Sequence, residues 1–229
     1  MAAEYRSLGA ELNVLAYCSQ FIPMDIIEAP RHKSICYHPS LLPAHRGASS
    51  INWTLINGDK KGEKEFLEPR KGLKILIPSF LLTGGFSIFW CDDGLDTGPL
   101  LLQKSVDLDP DETIDSLYTR FLYPEGIQAM AEAVNLIEAG RAPAIVQPEE
   151  GATYDPMLNK PELSKLNLAA LTGAQAHNFI RGCDKVPGAW VAIEGRPVKL
   201  YGSTLWRKAV PSEKEGATTV KIDGKIFAF

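Results

Sequence analysis

Several common signals are missing from this 229-residue chain, and each absence removes a class of function. Cys18, Cys36, Cys91 and Cys183 are widely spaced and form no CxxC pair, which argues against both a structural zinc site and a disulfide framework. There is no basic excess. The 24 Lys and Arg face 28 Asp and Glu for a formal net charge of -4, whereas a sequence-independent nucleic-acid binder needs a clustered positive surface to displace counterions from phosphate. Leu73 to Leu82 is almost continuously apolar, yet it is too short to cross a bilayer and is interrupted by Lys74, Pro78 and Ser79. The N-terminus, Met1 to Leu8, carries Glu4 and no apolar core of signal-peptide length. Neither nucleic acid nor membrane is therefore expected as a partner. A reducing, cytoplasmic location is predicted, with the mitochondrion as the alternative.

The composition that remains is ordinary for a globular protein. With 45% hydrophobic and 23% charged residues, the chain can bury a core as one large domain or two small ones. Ala10 to Tyr17 reads as a short buried strand, Cys18 to Pro23 as a loop, and Met24 to Glu28 as a helix. Lys33 to Tyr37 reads as a second strand, stopped at His38 because Pro39 has no N–H for a ladder and holds the residue before it extended. A helix over Ser49 to Asn57 places Trp53 and Ile56 on one side, with Gly58 as its stop. Phe86 to Trp90 and Pro99 to Lys104 read as strands, with turn chemistry from Asp92-Asp93-Gly94 between them.

Asp111 to Ala139 carries helical periodicity, with Ile127, Met130, Val134 and Ile137 recurring until Gly140, a pattern of core packing. Arg141 to Tyr154 has linker composition, so the predicted division is a catalytic domain over 1–142 and a small β-rich domain over 143–229. The second domain should hold a helix near Gly173 to Arg181 and short strands at Trp190 to Ile193, Pro197 to Tyr201 and Thr218 to Ile222. Residues Glu63 to Gly84, charged and then apolar, fit no regular element and read as an inserted loop.

Chemistry concentrates at two positions. His38 stands in Tyr37-His38-Pro39-Ser40-Leu41-Leu42-Pro43 and Asp96 in Asp93-Gly94-Leu95-Asp96-Thr97-Gly98, each where a strand hands over to a loop. Such junctions collect catalytic groups in α/β folds. A histidine with a partner carboxylate exchanges protons near neutral pH, so proton-assisted group transfer or hydrolysis is predicted. His32, His45 and His177 lack that setting and read as surface or packing residues. Arg46 fits a substrate contact and a loop salt bridge equally well, and Cys36 reads as a small packing residue.

Four segments, His38-Pro39-Ser40-Leu41-Leu42-Pro43, His45-Arg46-Gly47-Ala48, Gly94-Leu95-Asp96-Thr97-Gly98 and Pro148-Glu149-Glu150-Gly151-Ala152-Thr153-Tyr154, together resemble the formyltransferase family that uses 10-formyltetrahydrofolate. Phe89-Trp90 before Asp92-Asp93, and Lys185-Val186-Pro187-Gly188-Ala189-Trp190, look most like its formyl-hydrolase branch. Members of that branch continue into acyl-carrier and aldehyde-dehydrogenase domains. The resemblance covers roughly Leu8 to Lys61 and Gly85 to Leu205. It implies an α/β fold, with a partial Rossmann-like formyltransferase domain followed by a small β-barrel-like C-terminal domain.

By the same resemblance, His38 is the proton donor and polarising group, and Asp96 orients a water or acceptor nucleophile at the substrate. Gln20-Phe21-Ile22 matches the family's pterin-contacting loop. The implied substrate is 10-formyltetrahydrofolate and the product tetrahydrofolate; no metal is required, and NADP enters only where a dehydrogenase domain is present elsewhere. Cys36 stands where the tRNA and purine branches have an asparagine, which favours the hydrolase branch of one-carbon metabolism. Two other readings remain: a methionyl-tRNA formyltransferase, and a catalytically silent fragment that binds folate or a partner. The family opens with a strand, a glycine-bearing turn and a helix that nothing before Ala10 matches, so a truncated chain with an insertion near 63–84 is predicted. The open sheet edge this leaves is compatible with a homo-oligomer.

Overall fold

A computed structural model of the chain describes residues 2–16, 18, 20–58, 82–204, 219–222 and 225–228. Contacts divide it into two compact units. The first combines Met1–Ile51, Gly84–Val106 and Asp115–Met157; the second combines Asn52–Thr83, Asp107–Ile114 and Leu158–Phe229.

The first unit is built on a sheet of order β1-β2-β3-β4, formed by β1 (Asn13–Leu15), β2 (Ser34–His38), β3 (Thr83–Trp90) and β4 (Leu100–Asp107), with a short leading helix α1 (Ala2–Ser7). β1 runs parallel to β2 with Val14 opposite Ile35, and β2 runs antiparallel to β3 with His38 opposite Ser87. The mixed α/β sheet agrees with the predicted class. β1 is shorter than the apolar run suggested, because its first residue faces polar partners. The Asn13 amide donates to Ile26 O (3.0 Å) and to Ser34 Oγ (2.9 Å), and Ser34 Oγ donates to Ile27 O (2.8 Å). Those bonds pin the short helix α2 (Met24–Ile27) to the sheet.

β3 is buried from Thr83 to Phe89 with no in-and-out alternation, as expected of a strand covered on both faces. Phe86 meets Tyr37 and Phe121, with ring centroids 5.2 and 5.7 Å apart. Residues 63–81 of the predicted insertion lie outside the described residues, while Thr83 and Gly84 begin β3.

The helical pattern predicted over Asp111 to Ala139 is realised in three pieces. A first turn, α4 (Ile114–Leu117), passes into a π-helical turn at Tyr118–Leu122 and then into α5 (Tyr123–Glu138), whose residues Gly126, Ala129, Met130, Ala133 and Ile137 are buried at helical spacing. Pro124 explains the irregularity. It has no N–H to return to the previous turn, and the Tyr123 N–H instead reaches Tyr118 O, five residues back. Helix α3 (Ser50–Asn57) matches the sequence reading, and Gly58 follows it at φ 59°.

In the second unit, α6 (Gly173–Gly182) starts at a capping box: Thr172 Oγ1 accepts from Gln175 N, and Gln175 Oε1 accepts from Thr172 N. Strands β5 (Ala189–Ile193) and β6 (Arg196–Leu200) form an antiparallel hairpin, and β7 (Thr219–Ile222) pairs antiparallel with β8 (Lys225–Ala228), a strand that the sequence reading did not foresee. Ile180, Cys183, Val191 and Leu200 make the apolar core, with Trp53 and Ile56 of α3 against it. Burial pushes the Cys183 thiol up to about 12, so it packs as a neutral group.

Candidate active site

The site is built around the last residue of β2. Pro39 ends the strand, and the chain then turns back with Ser40 N donating to His38 O (2.9 Å). A buried polar network fixes that turn on β3 and β4. Ser87 Oγ donates to Ser40 O (2.7 Å) and accepts from Leu42 N (3.0 Å), while the Gln103 amide donates to Leu42 O and Ser87 Oγ, both at 2.8 Å. Ser40 Oγ closes the loop on Ala44 O at 2.6 Å.

The two predicted residues come together. His38 Nδ1 lies 3.5 Å from Asp96 Oδ2, and the two side chains are only 7% and 13% exposed. His38 Nε2 lies 2.8 Å from His45 O. Because a carbonyl can only accept, Nε2 carries the proton, and in the neutral ring Nδ1 presents its lone pair toward Asp96. Burial holds His38 below the ordinary histidine pKa, partly opposed by the Asp96 charge and by the His45 carbonyl, which favour the charged ring. Asp96 itself sits in a left-handed conformation, φ 56°, in the loop between β3 and β4. Its Oδ2 also accepts from Gly47 N at 2.8 Å. Gly47 has φ 106°, where a side chain is rarely tolerated.

His38 and Asp96 border a cavity of about 930 Å³, within the range of small-molecule sites. Its far side is formed by α5 and the turn before it, including Tyr118, Tyr123, Ile127 and Met130. Gln20 and Phe21 reach the same cavity. Both also line, with Ile22, Cys36, Cys91 and Asp96, a smaller adjoining cleft of about 100 Å³. Phe21 is 74% exposed, so it offers a free apolar surface. The Cys36 thiol is pushed up, first by its hydrogen bond with Cys91, then by burial and the nearby negative charges, and is no nucleophile at neutral pH. Burial, with Tyr118 adding to it, also keeps the Tyr37 phenol neutral, and its hydroxyl donates to Leu122 O at 2.9 Å.

Sequence reasoning passed over the groups that hold this pair. His45 is buried rather than at the surface, with Nδ1 2.5 Å from Asp155 Oδ2 and a positive φ of 60°. Arg46 donates to Gln147 Oε1 from Nη2 (2.8 Å) and Nε (3.3 Å). The segment 153–155 pairs with 45–46: His45 N donates to Thr153 Oγ1 (2.8 Å), Arg46 N to Thr153 O and Asp155 N to Arg46 O (both 3.1 Å). The Pro148 to Tyr154 motif was a signal pointing there, but composition alone made it look like a linker.

A family model described as formyl transferase matches residues 1–134, and a second, for the formyl transferase C-terminal domain, matches residues 159–228. The chain belongs to the formyl transferase family. Among curated relatives, the chain is 56% identical over 211 residues to human mitochondrial 10-formyltetrahydrofolate dehydrogenase, covering 92% of the chain and 20% of that protein. It is likewise 56% identical over 205 residues to the human cytosolic 10-formyltetrahydrofolate dehydrogenase, covering 90% of the chain and 20% of the relative. The chain thus spans about a fifth of the length of these relatives, which occur in two compartments.

Solved structures share the formyl transferase fold. A sugar N-formyltransferase from Shewanella sp FDAARGOS_354 superposes with a TM-score of 0.66 at 21% identity, over 90% of this chain and 74% of that one. HypX from Aquifex aeolicus, in complex with tetrahydrofolic acid, gives 0.62 at 18% identity, over 87% of this chain and 30% of HypX. Among the described residues, no group of three or more His, Cys, Asp or Glu could hold a metal ion, and no helix is long and apolar enough to cross a membrane.

Proposed function

We propose that this chain is a formyl hydrolase module that binds 10-formyltetrahydrofolate, splits the N10–formyl bond with water, and releases tetrahydrofolate and formate. The observation that carries this reading is the state of His38. Its Nε2–H is engaged by His45 O, and its Nδ1 faces Asp96 Oδ2 at 3.5 Å on the wall of a ligand-sized cavity. Two acceptors set side by side can take both protons of one water, orienting its oxygen for attack on the formyl carbon.

His38 Nδ1 then takes a proton from the attacking water as the C–O bond forms. The resulting imidazolium, beside the Asp96 carboxylate, hydrogen-bonds the tetrahedral oxyanion and returns the proton to N10 as the C–N bond breaks. The balance closes: one water is consumed, and the amine and formic acid are formed. An acceptor amine in place of water would turn the same steps into formyl transfer. The pterin end of the folate is assigned to the cleft at Gln20, Phe21 and Ile22, whose lining mixes apolar residues such as Leu15 and Phe89 with the polar Gln20, Asp92 and Asp96.

Support comes from the names of the human relatives, which specify 10-formyltetrahydrofolate, and from HypX, whose structure holds tetrahydrofolic acid. NADP chemistry belongs to a longer protein with acyl-carrier and aldehyde-dehydrogenase domains. A cytoplasmic location is assigned, with the mitochondrion as the alternative; the four free cysteines suit the reducing interior of either. The test is hydrolysis of 10-formyltetrahydrofolate by the purified chain beside His38→Ala and Asp96→Asn. Each variant should lower kcat on the order of 10²–10⁴-fold. Equal rates in all three would overturn the reading.

A further inference from the structure

Gln147 lies in a segment with linker composition, yet it is only 6% exposed and uses every hydrogen-bonding position of its amide. Nε2 donates to Asp96 O and to Gly98 O, both at 2.8 Å, and Oε1 accepts from Arg46 Nη2 (2.8 Å) and Nε (3.3 Å). The amide therefore joins two loops. One carries Asp96. The other carries His45, whose carbonyl holds His38 Nε2, and Gly47, whose N–H holds Asp96 Oδ2.

We propose that Gln147 is a positioning residue that sets the distance between the Asp96 carboxylate and His38 Nδ1. The physical reason lies in the backbone at Asp96. A left-handed conformation at φ 56° is unfavourable for a residue with a Cβ and persists only where surrounding bonds over-determine it. Gln147 supplies such a bond to the carbonyl of Asp96 itself and another two residues further on. Arg46 is the counterweight, because its guanidinium fork fixes the amide's orientation: oxygen toward Arg46, nitrogen toward the two carbonyls. No other side chain of this length offers two donors on one branch and an acceptor on the other. Glutamate would keep the pairing with Arg46 but turn a second oxygen on two carbonyl oxygens. Leucine would leave both carbonyls and the guanidinium without the amide.

The proposal rests on the reading of His38 and Asp96 as the reacting pair, and its test separates the two. The full chain, with histidine labelled at Cε1, is titrated by NMR as the unaltered protein and as Gln147→Glu, Gln147→Leu and Asp96→Asn. The Asp96 charge raises the His38 pKa, so Asp96→Asn should move the His38 midpoint to lower pH. Gln147→Leu should move it in the same direction, since it releases the carboxylate from its place without adding a charge, whereas Gln147→Glu brings a second carboxylate whose charge opposes that shift. In hydrolysis assays they should lower kcat on the order of 100-fold, the scale of a 1 Å misplacement, with KM for the folate little changed.

A merely structural role predicts something else: fewer active molecules, and hence a lower rate at every pH, with the His38 midpoint unmoved. An unmoved midpoint in a Gln147→Leu protein that still melts cooperatively, or an unaltered kcat in that variant, would overturn the proposal. If the midpoint moves but no variant and no unaltered chain hydrolyses the substrate, the positioning role stands and the hydrolase reading falls.

Discussion

His38 illustrates how one buried ring can be readied for proton transfer by backbone alone. The His45 carbonyl holds Nε2–H, and burial favours the uncharged ring with Nδ1 bare. That state predicts the pH profile. The folded-state pKa lies below the ordinary 6.5, and the neutral ring is the reactive one, so kcat/KM should climb with rising pH through a midpoint below 6.5 and stay level to pH 8. A rate profile with its acid limb centred above 6.5 would contradict this assignment. Stability should follow the same sign. Between the folded and unfolded pKa values the unfolded chain binds more protons, so this contribution is present above pH 6.5 and fades as pH falls below it. His38 and Asp96 were legible because each sits in a local motif. His45, Asp155 and Gln147 were not, because their partners lie far along the chain and nothing in their neighbours' types marks them.

Among the elements, the helix over α4 and α5 shows what periodicity can and cannot reveal. The apolar spacing identified the helix but only half of its buried face: Met130 and Ile137 are buried, Val134 is half-buried and Ile127 is exposed, the rest of the face being the small residues Gly126, Ala129 and Ala133. The π-helical turn at Tyr118–Leu122 adds backbone that no hydrophobic count detects. Gly126 packs closely on Tyr37 of β2: a Cβ there would lie 2.8 Å from Tyr37 Cε2 and 3.3 Å from its hydroxyl oxygen. Alanine improves helix propensity by about 0.8–1.0 kcal/mol, while overpacking costs about 1–3 kcal/mol. Gly126→Ala should therefore destabilise the protein by about 1 kcal/mol, seen as a lower urea midpoint, and should disturb the Tyr37 hydroxyl bond to Leu122 O. A midpoint equal to that of the unaltered chain would mean the ring yields freely. Strand ends were read well where proline or polar residues stop a ladder, as at His38, and poorly at β1, where Asn13 turns to α2.

For the molecule as a whole, folate binding should leave a local signature. Every residue assigned to substrate lies in the first unit, at the β1–α2 loop, the end of β2 and the β3–β4 loop. Tetrahydrofolate should slow hydrogen exchange at 20–22, 45–47 and 91–98 while leaving the β5–β6 hairpin unchanged, with a stability gain of about 2.7 kcal/mol at a hundredfold excess over Kd. Protection confined to other segments would move the site elsewhere.

Sequence by itself determined where β2 stops, that Asp96 lies in a turn and that helices lie near 123–138 and 173–182. All of these follow from backbone sterics and spacing within a few residues. It also carried enough of the local motifs to point to a formyltransferase. Only the tertiary structure decided which nitrogen of His38 is free, that His45 meets Asp155 from 110 positions away, and that Gln147 braces Asp96 from 51 positions away. Those outcomes depend on hydrogen-bond geometry between segments that packing brings together, and no local propensity encodes such a partner.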